Sequence, residues 1–462
     1  MWLLLLAMAA CLPCHEKIVR SFAKTGMSRS ISPPAVEARR AQGGPGWAVA
    51  WNGTALRHRA GGEERTIAWA VGSGHEGKSY LVRIGDALFQ SPLSWYSRRG
   101  AWDLSPGFAR DQALDFFRPV TNDCLFCHAG RAAPVPGTLN RYVLNDPIPE
   151  PAIGCARCHG NGAAHAQDGR RGNIVNPSKL APRERDSVCE QCHLSGAARV
   201  PNPGRTFADF QPGMALEDIF SVYVLAGAQD FKVVSHSEQL ALSKCAVASQ
   251  TKLWCASCHD PHREPADAPR WYQTKCNGCH ANARPHGDAC TDCHMPKASA
   301  HDGSHTVFTD HRIQRPGAPA RTKADRDLRP WREPAEPLRA RGLGLAYVGT
   351  GEWEKGYALL RDVSQDAEVQ AALGLLFLRS GRPSLAVNVL ERDAKEQPKS
   401  STRLLNLAAA LLAAGQPGRA KAEALRAIEI EPLLRDAYVL LAEIEPRRAG
   451  YWKGEFAKRM RR

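Results

Sequence analysis

The chain has 462 residues, which on the usual prior allows about three domains. An apolar content of 43% excludes a disordered chain, and 32 Pro beside 39 Gly point to long irregular stretches. The formal charge of +14 raises nucleic acid or an anionic membrane as partners, and no segment reaches the eighteen or so apolar residues of a membrane span.

In chain order, Trp2–Ala10 is an apolar run ending in small residues, so 1–10 reads as a signal segment truncated at its basic start. A first Cys-x-x-Cys-His motif follows at Cys11, Cys14 and His15. The rest of 11–110 turns β-like. Short runs at 66–72, 79–84 and 87–91 read as strands, with Gly85-Asp86 as a two-residue hairpin turn. Residues 91–96 and 102–108 read as an aromatic-rich loop able to cover a cofactor face, although core packing is the simpler role for their tryptophans. From 111 to 315 six further motifs crowd together, at Cys124/Cys127/His128, Cys155/Cys158/His159, Cys189/Cys192/His193, Cys255/Cys258/His259, Cys276/Cys279/His280 and Cys290/Cys293/His294. Periodicity is weak here, and the expected helices are 214–226 and about 236–248. Residues 316–336 read as a Pro-, Arg- and Asp-rich linker. Beyond it, 337–462 contains no Cys or His and is helical throughout. Ala371–Gly381 and Leu405–Gly415 match at 34 residues, as do Pro398 and Pro432, which is the tetratricopeptide period of paired helices. Such an array offers a concave surface for a partner protein and reads as a separate docking module.

The seven motifs use fourteen of the fifteen cysteines. Two thiols three residues apart share one face of a helical turn and reach two vinyl groups of a porphyrin, while the next residue sets its imidazole under the iron. Zinc sites close with four ligands, so seven pairs do not match evenly. A thioredoxin-like motif occurs once, and a disulfide framework belongs to small secreted domains. The expectation is therefore haem c, seven copies, covalently attached. Their fourteen propionates nearly cancel the +14 charge, with Arg131, Arg157 and Lys275 as candidate partners, so nucleic acid is set aside. Attachment of this kind takes place outside the bacterial cytoplasm, which places the protein in the periplasm or beyond.

Nine histidines lie outside the motifs. His75, His165, His236, His262, His286, His305 and His311 are the candidate distal ligands, with His75 assigned to the first haem, which stands alone in the sequence; His58 and His301 are weaker candidates. Met27, Met214 and Met295 suit packing better than ligation, and Cys245 reads as a buried inert thiol.

The stretches 154–165, 176–193, 235–245, 255–262 and 290–297 resemble the multihaem cytochromes of the cytochrome c-552/c-554 type. The C-terminal repeats resemble tetratricopeptide tails attached to some of them. The resemblance implies haems in close pairs with mostly bis-histidine ligation. It does not carry over the enzymes of the wider group: the nitrite reductases place lysine where all seven motifs here have histidine, and no residue matches the cross-linking tyrosine of hydroxylamine oxidoreductases.

The expected fold is multidomain and mainly α, with little regular structure in a haem-packed core, a small β-rich N-terminal segment and a tetratricopeptide-like solenoid. The expected function is electron transfer between redox partner proteins docked in part by the tail, with no catalytic residue assigned and at most peripheral membrane contact. The alternative is an oxidoreductase acting on a small nitrogen or sulfur compound at one open haem. A repeat scaffold stabilised by its haems is the third reading.

Overall fold

The computed structural model describes residues 10–34, 41–109, 113–226, 231–281, 290–315, 317, 327–363 and 366–461. The expected signal segment therefore lies outside the described residues apart from Ala10.

The β-rich segment is larger than expected. After helix α1 (Leu12–Phe22), ten strands form one antiparallel sheet: β1 (Ile31–Ser32), β2 (Gln42–Gly44), β3 (Trp47–Trp51), β4 (Leu56–Ala60), β5 (Glu63–Val71), β6 (Gly77–Ile84), β7 (Ala87–Gln90), β8 (Leu93–Tyr96), β9 (Ala101–Leu104) and β10 (Arg118–Pro119). The main path runs β10-β7-β6-β5-β4-β3-β2, with β1 on β5, β8 on β6 and β9 on β8. β6 and β7 pair from Ile84 to Ala87 across the expected Gly85-Asp86 turn. Only Gly85 takes a positive φ there (61°), the requirement of a turn with glycine first. The expected aromatic loop is instead the β8–β9 hairpin. Trp95 stands opposite Trp102 in register, and both are buried, so the packing role of these rings holds. Alternation of apolar and polar residues over so few positions was too short to distinguish strand from loop.

In the next region α2 (Asn122–His128), α3 (Ala156–His159), α4 (Ala163–Asp168), α5 (Pro182–His193), α6 (His236–Ala241), α7 (Lys244–Ser249), α8 (Cys255–Cys258), α9 (Ala268–Asn277) and α10 (Cys290–His294) are short and joined by irregular chain. The helix expected at 214–226 is instead a 3-10 turn, Leu216–Asp218, followed by a strand. β11 (Ala198–Pro201) pairs with that strand, β12 (Phe220–Leu225). A run of Phe, Val, Tyr and Leu fits a buried central strand as readily as a helix, and pairing on both edges decides it. The helix expected at 236–248 breaks in two where the Ser243 hydroxyl accepts from Ala246 N at 3.0 Å. β13 (Lys297–Ser299) and β14 (Val307–Thr309) form a hairpin, and β15 (Leu328–Pro330), drawn from the expected linker, is the second partner of β12. Most of the remainder of that linker (316 and 318–326) lies outside the described residues.

One property of this region is unusual. Helices α3, α8, α9 and α10, which carry the third and fifth to seventh motifs, bury no residue. Among the described residues no apolar side chain is buried between Ile153 and Val188 or between Phe231 and Ala300. A polypeptide of this length ordinarily needs such a core to offset its conformational entropy.

The C-terminal part is a stack of helical hairpins: α11 (Glu336–Gly349), α12 (Trp353–Leu360), α13 (Ala367–Arg379), α14 (Pro383–Glu396), α15 (Ser401–Ala413), α16 (Pro417–Ile430), α17 (Arg435–Ile444) and α18 (Ala449–Met460). α13, α15 and α17 start 34 residues apart, as do α14 and α16. Gly381 and Gly415 end the first helix of their pairs at φ 69° and 72°. Small residues set the approach of paired helices: a Cβ on Gly374 would lie 2.4 Å from Leu390 Cγ.

The stack is not the separate module the sequence implied. Its core is continuous with that of the N-terminal sheet. The fully buried Glu431 accepts from Leu139 N (3.0 Å), Asn140 N (3.1 Å) and Ser401 Oγ (2.5 Å). Ser401 N donates to Gly137 O at 2.9 Å, Arg141 donates to Ile430 O, and Phe117 meets Phe456 edge-on at 5.3 Å. At the other end Arg341 donates to Pro201 O, and Gly342 admits Tyr223, whose hydroxyl lies 2.1 Å from where a Cβ would stand.

Candidate cofactor centre at the Cys-x-x-Cys-His motifs

Each motif is built on a helical turn. His15, His159, His259 and His280 each donate their backbone N–H at 2.9 Å to the carbonyl of the first cysteine of their motif. That closes one turn and puts the two thiols on its same side. All fifteen cysteines are free thiols. Among the described residues no group of three or more His, Cys, Asp or Glu is arranged around a common metal position.

The motifs lie against one another. Thiols of different motifs meet at Cys11–Cys155, Cys127–Cys192, Cys189–Cys255 and Cys276–Cys290. The Cys127 thiol is pulled down to about 6, chiefly by its hydrogen bond with Cys192 and further by Arg199. Cys155 is pushed up to about 11 by burial and by Cys11. The first motif is thus not isolated, as its place in the sequence implied: it packs on the third. Cys245 lies near Cys258 and Cys276 rather than in an apolar core.

The fourteen attachment thiols expected from the sequence are not alike in their surroundings. Cys279 and Cys293 stand exposed, and the contact that joins the sixth and seventh motifs runs through Cys276 and Cys290. The physical reason is local. Helices α9 and α10 bury no residue, so the turn that carries the second thiol of each motif faces solvent, and the neighbouring His280 is exposed with it. Cys14 and Cys124 are likewise exposed, whereas the other ten motif thiols are part-buried.

The histidines pair across this cluster. An iron shared by two imidazoles stands about 2.0 Å from each nitrogen, and each nitrogen about 1.1 Å from its ring centre, so the ring centres lie about 6 Å apart. His15 and His165 are 6.1 Å apart with planes 18° from parallel, and His159 and His262 are 5.9 Å apart at 12°. His259 and His311 lie at 6.1 Å. His193 and His236 lie at 5.1 Å, about 1 Å short of the same span. Several rings are anchored at Nδ1: His159 on Val175 O (2.8 Å), His165 on Arg170 O (3.0 Å), His311 on Thr309 O (3.0 Å), His294 on Gln314 O (2.8 Å) and His259 on the Tyr272 hydroxyl (3.1 Å). An Nδ1 bond of this kind fixes the ring and leaves Nε2 as the ligating atom. Burial holds His128, His193, His236, His259, His262 and His311 below the ordinary histidine range, so each is a neutral imidazole.

These residues are surrounded by protein yet keep accessible surface: Cys192 is enclosed and still part-exposed, and His128 and His259 lie on open surface. The donor set supplies paired imidazoles and pairs of neighbouring thiols, the residue types that would hold an iron porphyrin.

Eight of the expected ligating histidines are therefore brought together in four pairs, with His15, His159, His193 and His259 facing His165, His262, His236 and His311. His75 is a correction: it lies exposed beside Glu76 at 3.3 Å, and His165 takes the position opposite His15. This histidine stands in the turn between β5 and β6, with its side chain largely in solvent. His305 is also displaced from the motifs; its Nε2 meets Asp103 at 3.0 Å and its ring meets Tyr96 edge-on. His286 lies outside the described residues. No opposing histidine ring is in contact with His128, His280 or His294 among the described residues. His58 is buried in the sheet with Nδ1 2.7 Å from Ser91 Oγ, and burial lowers it to about 3.

Of the basic residues expected near propionates, Arg131 pairs with Glu150 at 3.1 Å, Arg157 donates to Phe126 O and covers that ring, and Lys275 lies over Trp271. Sequence reasoning missed Glu190 and Gln191, the inner residues of the fourth motif. Both are buried; Glu190 holds Arg332 at 2.6 Å and accepts from Trp331 Nε1, and Gln191 donates to Arg157 O. Two long polar residues at those positions were the available signal, since the corresponding residues of the buried second motif are Leu125 and Phe126.

No protein-family model matches the chain, and no curated protein matches it. Among solved structures, the C-terminal helices are similar to those titled "MamA MSR-1 C2" (24% identity, 27% of this chain and 75% of that chain, TM-score 0.24). "Crystal structure of MamA" is similar over the same share of this chain and 77% of its own, at 17% identity and a TM-score of 0.25. The chain is a mixed α/β multidomain protein, an N-terminal antiparallel sheet followed, beyond the motif region, by a C-terminal stack of helical hairpins.

Proposed function

We propose that the chain is an exported cytochrome carrying seven covalent haems c and moving electrons between redox partners. The observation that carries this reading is the set of four imidazole pairs, three of them at about the 6 Å span of a shared iron, each pair containing one motif histidine. Burial-free motif helices support it, because porphyrins supply the apolar surface that side chains there do not.

In this reading Cys11/Cys14, Cys124/Cys127, Cys155/Cys158, Cys189/Cys192, Cys255/Cys258, Cys276/Cys279 and Cys290/Cys293 hold the porphyrins, and the motif histidines bind below. The exposed Cys279 and Cys293 would leave one edge of the sixth and seventh porphyrins open to solvent. His165, His262, His236 and His311 close the far side of the first, third, fourth and fifth. The haems supply reversible one-electron chemistry; the chain orients them, keeps the ligating imidazoles neutral and holds neighbouring motifs in contact for transfer. The hairpin stack offers a surface for a protein partner.

The test is mass spectrometry and electron paramagnetic resonance of the full chain, secreted from a host competent in c-type haem attachment. The expected result is a mass gain equal to seven haems and at least four low-spin ferric signals. A mass equal to the bare polypeptide, or stoichiometric zinc, overturns the proposal.

A further inference from the structure

A cleft of about 430 Å³ separates the N-terminal sheet from the motif region. His236 and His311 border it on one side; Glu76, Ser79, Ser94 and Trp95 border it on the other. No cysteine lines it. Its volume is that of a small-molecule site, well above the space a diatomic or triatomic ligand needs.

Resting on the haem reading above, we infer that this cleft binds a planar aromatic electron donor of the hydroquinone class, which reduces the fourth and fifth haems through their distal imidazoles without touching iron. Three features favour this class. Both bordering imidazoles are the second ligands of their irons, so a compound that must coordinate iron has no access from here. The wall opposite includes part of the Trp95 side chain, an apolar contact for a flat ring, and the paired hydroxyls of Ser79 and Ser94, 2.9 Å apart. That hydroxyl row continues inward from Ser94 to Ser105 at 2.7 Å and from Ser105 to Ser91 O at 2.9 Å, so its protons run away from the cleft and the Ser79 oxygen is left to accept from a phenolic hydroxyl. Finally, His236 and His311 are 5.0 Å apart, so one bound molecule stands beside two one-electron acceptors.

The step balances. The donor is oxidised to the quinone by losing two electrons and two protons. Groups held by His193 with His236 and by His259 with His311 would each supply a one-electron acceptor, so that two of them together would take both electrons. Both protons leave to water at the open mouth of the cleft.

The test is stopped-flow reduction of the oxidised full chain by 1,4-naphthohydroquinone, with hexaammineruthenium(II) as a donor that needs no binding site. The wild type should show a rate that saturates with naphthohydroquinone. Ser79→Leu, which fills the cleft, should slow that reaction at least tenfold and leave reduction by the ruthenium complex unchanged. Calorimetric titration with 1,4-naphthoquinone gives the same comparison without electron transfer, and Ser94→Ala, which removes a hydroxyl but adds no bulk, keeps the question open to test if Ser79→Leu does not fold. It should weaken quinone binding at least threefold. Equal, non-saturating rates in wild type and Ser79→Leu, or no quinone binding to the wild type, overturn the inference while leaving the haem reading intact. A chain that the ruthenium complex does not reduce at all overturns the haem reading itself.

Discussion

Glu431 is where the hairpin stack is fastened to the rest of the molecule, and replacing it tests whether the two parts fold as one. Its carboxylate is fully buried and accepts from Leu139 N, Asn140 N and Ser401 Oγ at 2.5 to 3.1 Å. Glu431→Ala leaves two backbone donors without an acceptor, at about 1–3 kcal/mol each, and loses the serine bond to a charged group at about 1.5–3 kcal/mol. Partial relaxation and water entry reduce the sum, so a loss of about 3–5 kcal/mol is expected. Native-state hydrogen exchange by mass spectrometry reads peptides of β6–β7 and of α15–α16 separately. If sheet and stack share one cooperative unit, the slowest amides of both lose protection by the same amount. Faster exchange in α15–α16 alone, with β6–β7 unchanged, refutes the reasoning and restores a detachable tail. A change below about 0.5 kcal/mol in both refutes the energetic assignment.

Further predictions concern single side chains. His58 has a folded value of about 3 against about 6.5 unfolded, so its contribution is complete above pH 6.5 and is lost as pH falls toward 3, by about 1.4 kcal/mol per unit. The unfolding free energy of the wild type from urea titration should therefore fall between pH 7 and 4.5 by about 2.5 kcal/mol more than that of His58→Leu; parallel pH profiles count against it. His165→Ala should convert one low-spin haem to a high-spin, carbon-monoxide-binding one, whereas His75→Ala should leave the spectrum unchanged; the reverse pattern restores His75 as the ligand. Gly374→Ala forces a methyl to within 2.4 Å of Leu390 and should cost about 1–3 kcal/mol by thermal unfolding, with no effect on bound haem.

Some features were legible because their signal is local. A cysteine pair and an adjacent histidine need only one helical turn, so the seven Cys-x-x-Cys-His motifs can be read from spacing alone. The 34-residue period is equally local, since each hairpin packs mainly on its neighbours, and helices α13 to α17 start where that period puts them. The Gly85-Asp86 turn likewise depends on one backbone angle.

Tertiary structure decided whatever depended on contacts between distant segments. Nearness in the sequence favoured His75 over His165 for the first motif; only the packing of α1 against the third motif sets His165 opposite His15. The exposure of Cys279 and Cys293 was equally hidden, because seven motifs of one spacing carry no mark of which helices will be covered. Phe220–Leu225 became a strand because β11 and β15 border it, one of them drawn from an apparent linker about one hundred residues later. The first motif looked solitary and the tail looked detached for the same reason. Distance along a chain carries no information about which surfaces meet, and it was buried contact, at Cys155 for the motif and at Glu431 for the tail, that fixed both.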